Sequence, residues 1–167
     1  MAGKTDLKDS SVPEGFTAGM AAMDALPVLF FSGSTAVLSM RFPSPLFRTG
    51  ALLVILAGAL KVAWKFVLAL GHRNIRFLNR QMRYLMPAGF LLMLIALVIG
   101  RQSWSIRAAA AHIISFPSII FFIAGIAGMV CMSIYPRIFS QMDPRANWIE
   151  QGTNAAAQAC IFLGILL

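Results

Sequence analysis

The sequence predicts an all-α, polytopic transmembrane bundle, and three observations carry that reading. Hydrophobic residues make up 59% of the 167 residues against 12% charged, which leaves too little polar surface to cover a globule in water. The apolar residues gather into successive runs, most of them long enough to cross a hydrocarbon layer of about 30 Å. Most of the fourteen Lys and Arg lie between those runs, where basic residues set topology. Five spans are expected, near residues 17–39, 46–70, 84–100, 113–135 and 152–167, in a single transmembrane domain that covers 1–167.

The elements follow in order. The polar leader 1–14 carries both charge signs and precedes a span without a clear small-residue cleavage site, so a removable signal peptide is not expected. Ser11-Val12-Pro13-Glu14 has the spacing of a capping box, and helix one runs from about Pro13 to Met40. Arg41-Phe42-Pro43-Ser44-Pro45 cannot continue it, because two prolines remove donors and restrict the residues before them. Ser44 as N-cap and Pro45 at the first position open helix two, and Gly71 suits its end. In 72–83 the arginines Arg73, Arg76, Arg80 and Arg83 repeat at helical spacing opposite Ile75, Leu78 and Met82, the pattern of a short basic interfacial helix.

Span three, 84–100, has Pro87 near its entrance, and Trp104 follows as an interface anchor. Span four, 113–135, contains Pro117, which should bend it. Asp143-Pro144 then opens a helix that can run through Trp148 to residue 167. Its apolar part, 155–167, covers only about 20 Å at 1.5 Å per residue, so a four-span protein with a partial or buried last helix is the alternative.

Counting basic residues on alternate sides orients the chain. Lys4, Lys8, Arg73, Arg76, Arg80, Arg83, Arg137 and Arg145 share one side, and Arg41, Arg48, Arg101 and Arg107 the other. That asymmetry puts the amino terminus in the cytoplasm, and a prokaryotic cytoplasmic membrane is the expected location. The net charge of +8 would point to nucleic acid in a soluble protein. Placed between apolar runs, it points to anionic lipid head groups instead, and no nucleic acid partner is expected.

Several chemistries lack their residues. Cys131 and Cys160 lie in apolar segments with no CxxC spacing, and His72 and His112 fall at loop ends on opposite sides, which disfavours metal, redox or haem sites. There is no GxSxG, HExxH or glycine-rich phosphate loop. One intramembrane carboxylate gives little for a reaction to use, so neither catalysis nor a cofactor is expected.

Ionisable residues well inside spans are few: Asp24 in helix one, Lys61 and Lys65 in helix two. A charge at membrane depth costs about 2.5–3.5 kcal/mol on insertion scales, so such residues turn toward protein, water or head groups. An antiparallel hairpin brings Asp24 level with Lys61 or Lys65. One carboxylate cannot neutralise two lysines, which leaves a cation for a carbonyl, an anion, a lipid phosphate or the interface. A structural bridge with a snorkelling Lys65 explains the same residues. Thr35 lies nearly beneath Asp24 on the helical wheel, with Ser32, Ser34 and Ser39 nearby, so a polar seam can run along helix one; interhelical hydrogen bonding accounts for the hydroxyls equally.

Small residues recur at Gly152, Ala156, Cys160 and Gly164 in the last helix, and at Ala124 and Gly128 in span four, a spacing that lets helices approach closely. The neighbour is another helix of this chain or a second copy of it. Two functions fit these residues. One is a channel- or transporter-like protein, expected to be oligomeric, for an anion or small acidic solute, using Asp24, Thr35, Lys61 and Lys65. The other is a non-catalytic accessory or scaffold subunit that holds a membrane partner by the small-residue stripe and lipids by Arg73, Arg76, Arg80 and Arg83.

Overall fold

Helix starts and stops are set by local chemistry that the sequence displays. The computed structural model describes residues 17–71, 75–138 and 144–167. The expected capping box at Ser11 to Glu14, with Lys4, Lys8, His72 and Arg73, lies outside them. Thr17 caps α1 (Ala18–Arg41), its hydroxyl accepting from the Met20 amide at 3.3 Å. Ser44 caps α2 (Pro45–Gly71) in the same way through the Phe47 amide. Among the described residues of the basic segment, Arg76–Arg80 form one short turn, α3, which passes through Gln81 into α4 (Met82–Ile99).

A 3-10 turn at Arg101–Ser103 leads to α5 (Ile106–Ile114), capped by the Ser105 hydroxyl. Pro117 was expected to bend span four; the helix instead breaks there. Ser115 takes extended backbone and Phe116 precedes a proline that disfavours helical geometry, so the long helix α6 (Ser118–Ile138) starts five residues later than the apolar run. The last helix, α7 (Pro144–Leu166), continues without interruption through Gly152.

Among the described residues every element is helical. Four helices of this described set, α1, α2, α4 and α6 to Tyr135, are long and apolar enough to cross a membrane. At 23 residues α7 has the length, about 34 Å, but its first half carries Asn147, Glu150, Gln151 and Asn154.

The five long helices lie in one row, in the order α4, α2, α1, α7, α6. The central α1 is antiparallel to α2 and parallel to α7, whose Trp148 lies by Gly19 and whose Phe162 lies by Gly33. Each outer pair is held by a close crossing. A Cβ on Gly50 would come within 2.6 Å of the Gly89 carbonyl, and one on Gly89 within 2.7 Å of the Gly50 carbonyl, so α2 and α4 touch backbone to backbone. Around that crossing Phe47, Ala51, Val54, Met93 and Ala96 form a buried cluster. The α6–α7 crossing rests on Gly125 and Gly128 against Ala157 and Ile161.

Candidate functional site

The carboxylate of Asp24 and the ammonium of Lys65 form an ion pair across the α1–α2 seam. Each residue lies six positions from its helix end, about 9 Å along the axis, which is why the antiparallel hairpin brings them level. The Asp24 side chain is 4% exposed and that of Lys65 22%. The second Asp24 oxygen, Oδ1, is buried with no hydrogen-bond partner among the described residues. Of the two lysines that spacing allowed, Lys65 makes the bridge. Lys61, one turn away, sets its Nζ 4.6 Å from the centre of the Trp64 ring, within cation–π range.

The start of α4 explains why Lys61 has room. Gln81, buried at the α3–α4 elbow, donates from Nε2 to the Ala57 carbonyl at 3.2 Å and to that of Leu78 at 3.1 Å. This fixes the first turn of α4 level with Ala57, fourteen residues before the end of α2, about 21 Å. Beyond Ala57, α2 therefore continues past the start of α4. A groove of about 500 Å³ opens at this step, lined by Lys61, Arg83, Met82, Met86, Pro87 and Phe90. Two cations thus stand over an apolar floor, beside a buried carboxylate already engaged by a third.

The rest of the expected seam is closed. Thr35 is buried and its hydroxyl donates to the Phe31 carbonyl at 2.9 Å; Ser34 donates to Phe30 and Ser39 to Ala36. Thr35 stands eleven residues from Asp24, about 16 Å along α1, so the structure does not bring it to the lysines. Of the basic stripe, Arg80 and Arg83 are exposed, and only Arg83 joins Lys61 at the groove.

The small-residue stripe is displaced from where its spacing placed it. Gly128 meets Ala157 and Gly164 meets the Phe122 ring, but Ala124 and Ala156 are exposed, and a Cβ added at Gly152 would meet nothing within 4 Å. Steps of four residues advance 400°, so a stripe from Gly152 to Gly164 rotates about 120° away from its neighbour. The face that packs is instead Thr153, Ala157, Ile161 and Gly164, with the Thr153 hydroxyl 3.2 Å from that of Tyr135. Cys160 is half-buried and Cys131 exposed.

Sequence reasoning missed three features. They are the anchoring of the interfacial segment to α2 through Gln81, the close crossing at Gly50 and Gly89, and the contact of Arg41 with His112. A lone glycine inside an apolar span is the available signal for the second. In the third, the Arg41 guanidinium Nη1 lies 3.4 Å from His112 Nε2, at a cleft over the end of α1 far from Asp24.

No family model, no curated protein and no solved structure matches this chain.

Proposed function

We propose that the chain is an integral membrane protein that moves an anion or small acidic solute, engaging it at the groove of Lys61 and Arg83, one turn of α2 from the Lys65–Asp24 bridge. In this reading α7 is a fifth crossing parallel to α1, and the amino terminus faces the cytoplasm of a prokaryotic cell. The observation that carries the reading is the step at the start of α4, which leaves Lys61 and Arg83 over a groove of about 500 Å³ next to the Lys65–Asp24 bridge. Cations retained at such depth favour a negative ligand. Asp24 acts as the internal counter-ion that Lys65 holds until an anion competes for it. The hydroxyls of Ser34 and Thr35 donate to their own helix, which favours the lysine end for contacts with solute.

The test is flux of chloride or a short dicarboxylate through liposomes that contain the purified protein. Lys61→Ala should lower it on the order of tenfold, the loss expected for one charge-assisted contact. A robust flux indifferent to substitution of both lysines would reject the site.

A second reading is supported by the helix row itself. Among the described residues the row encloses no lumen, and α4 and α6 form its two edges, with Leu91, Leu94 and Ile95 exposed on one and Ile120, Ile123 and Ile126 on the other. An accessory subunit that docks a membrane partner, or a second copy, along an edge would carry no flux alone. It would co-purify with its partner and lose it on Ile123→Arg.

A further inference from the structure

Where α1 ends, Arg41 meets His112 of α5, and the two elements line a cleft of about 540 Å³, within the range of roughly 300–1,000 Å³ typical of ligand sites. Its floor and walls are apolar: Leu38 of α1, Ile113 of α5, Phe122 of α6 and Ile165 of α7. Its ionisable side chains are those of Arg41 and His112 and no lining side chain is acidic, while Leu167, the last residue of the sequence, also lines it. From these features we propose that the cleft binds an anionic phospholipid of the adjacent leaflet, with the phosphate at Arg41 and an acyl chain along the apolar wall. The proposal is independent of the transport reading, whose charges sit at the opposite end of α1.

Charge and shape both favour that occupant. A guanidinium carries five N–H donors, and the contact with His112 at 3.4 Å uses one. Because arginine cannot accept, His112 Nε2 is the acceptor there, and the imidazole aims the guanidinium rather than competing for the anion. Trp104, also in the lining, is locked in place: its Nε1 donates to the Leu97 carbonyl at 2.9 Å and its ring meets Phe42 edge-on at 6.0 Å. The cleft therefore has one fixed wall, one aimed cation and a long apolar side, which matches a charged head joined to a hydrocarbon tail. A compact inorganic anion would leave most of the apolar wall unused.

Trp104 provides the readout. In a full-length protein with Trp64→Phe and Trp148→Phe it is the sole tryptophan, and lipids brominated on their acyl chains quench it on contact. In mixed nanodiscs, brominated phosphatidylglycerol should quench at about fivefold lower mole fraction than brominated phosphatidylcholine, the preference expected from one basic contact. Arg41→Gln should abolish that preference and Arg41→Lys should retain most of it. Ala109→Phe, which narrows the cleft from the exposed α5, should reduce quenching by the anionic lipid while the protein stays monodisperse. Equal quenching by the two lipids, or a preference untouched by Arg41→Gln and Ala109→Phe, would overturn the proposal. Inorganic phosphate added at millimolar concentration should leave the preference intact; if it erases it, the cleft takes a free anion and the lipid assignment is wrong.

Discussion

The two helix pairs that flank α1 are built alike but attached differently. The α2–α4 pair crosses at Gly50 and Gly89, and the α6–α7 pair at Gly125, Gly128 and Ala157. In lipid, where tails are as apolar as leucine, this kind of backbone contact supplies packing that hydrophobic exclusion cannot. The attachment to α1 is where they part. On one side Lys65 reaches the buried Asp24; on the other Phe162 lies over Gly33 and beside Phe30, ring centres 6.2 Å apart. Charge holds one seam and aromatic shape the other, so the buried ion pair belongs to the first.

The sharpest way to break that contrast is Asp24→Asn. Removing one member of a buried pair typically costs about 3–5 kcal/mol, because the other charge is left without its partner. Lys65 is partly exposed, so the loss should fall at the low end, about 3 kcal/mol, read as a lowered midpoint in detergent unfolding. Adding Lys65→Met to the same chain should restore most of it, since the stranded ammonium is gone. A loss below about 1 kcal/mol in the single variant would mean that shape holds both seams.

Gly89→Ala and Gly128→Ala probe what the pairs have in common. The new Cβ meets Val54 Cγ2 at 2.6 Å in the first and Ala157 Cβ at 2.7 Å in the second. Neither neighbour is the far end of a long side chain, so the helices must separate. Each should cost about 1–3 kcal/mol, as overpacking does, and the two losses should be similar. A harmless Gly89→Ala beside a damaging Gly128→Ala would show that the pairs are not equivalent in packing.

How much of this was legible depended on whether the physics was local or between helices. Caps and breaks were partly readable from neighbours in the chain: Ser44–Pro45 opens α2 and Gly71 ends it, whereas the cap of α1 is Thr17, not the Ser11 that the spacing predicts. The Asp24–Lys65 register was readable because helical rise is constant and the connecting turn is short. At Pro117 the sequence predicts a bend and the structure has a break, since whether a helix resumes across a proline depends on what the next turn packs against. The step at α4 was invisible for the same reason. It rests on Gln81 reaching the Ala57 carbonyl, 24 residues away, a contact that no periodicity marks. The row order was likewise beyond reach, because hydropathy assigns helices to the membrane and not to one another.

The smallest effect separates sequence spacing from actual contact. Gly152 belongs to the same every-fourth-residue stripe as Gly164, yet it has no heavy atom within 4 Å of its Cβ position, whereas Gly164 is buried against Phe122 at 3.2 Å. A glycine inside a helix costs roughly 0.5–1 kcal/mol relative to alanine because of the freedom it must give up. Gly152→Ala should therefore stabilise α7 by up to about that amount and raise the unfolding midpoint slightly. Gly164→Ala should gain nothing, because the same backbone benefit is offset by displacing the Phe122 ring. If Gly152→Ala instead destabilised the protein, α7 would have to press its Gly152 face against a second chain, and the accessory-subunit reading would gain at the expense of a lone conduit.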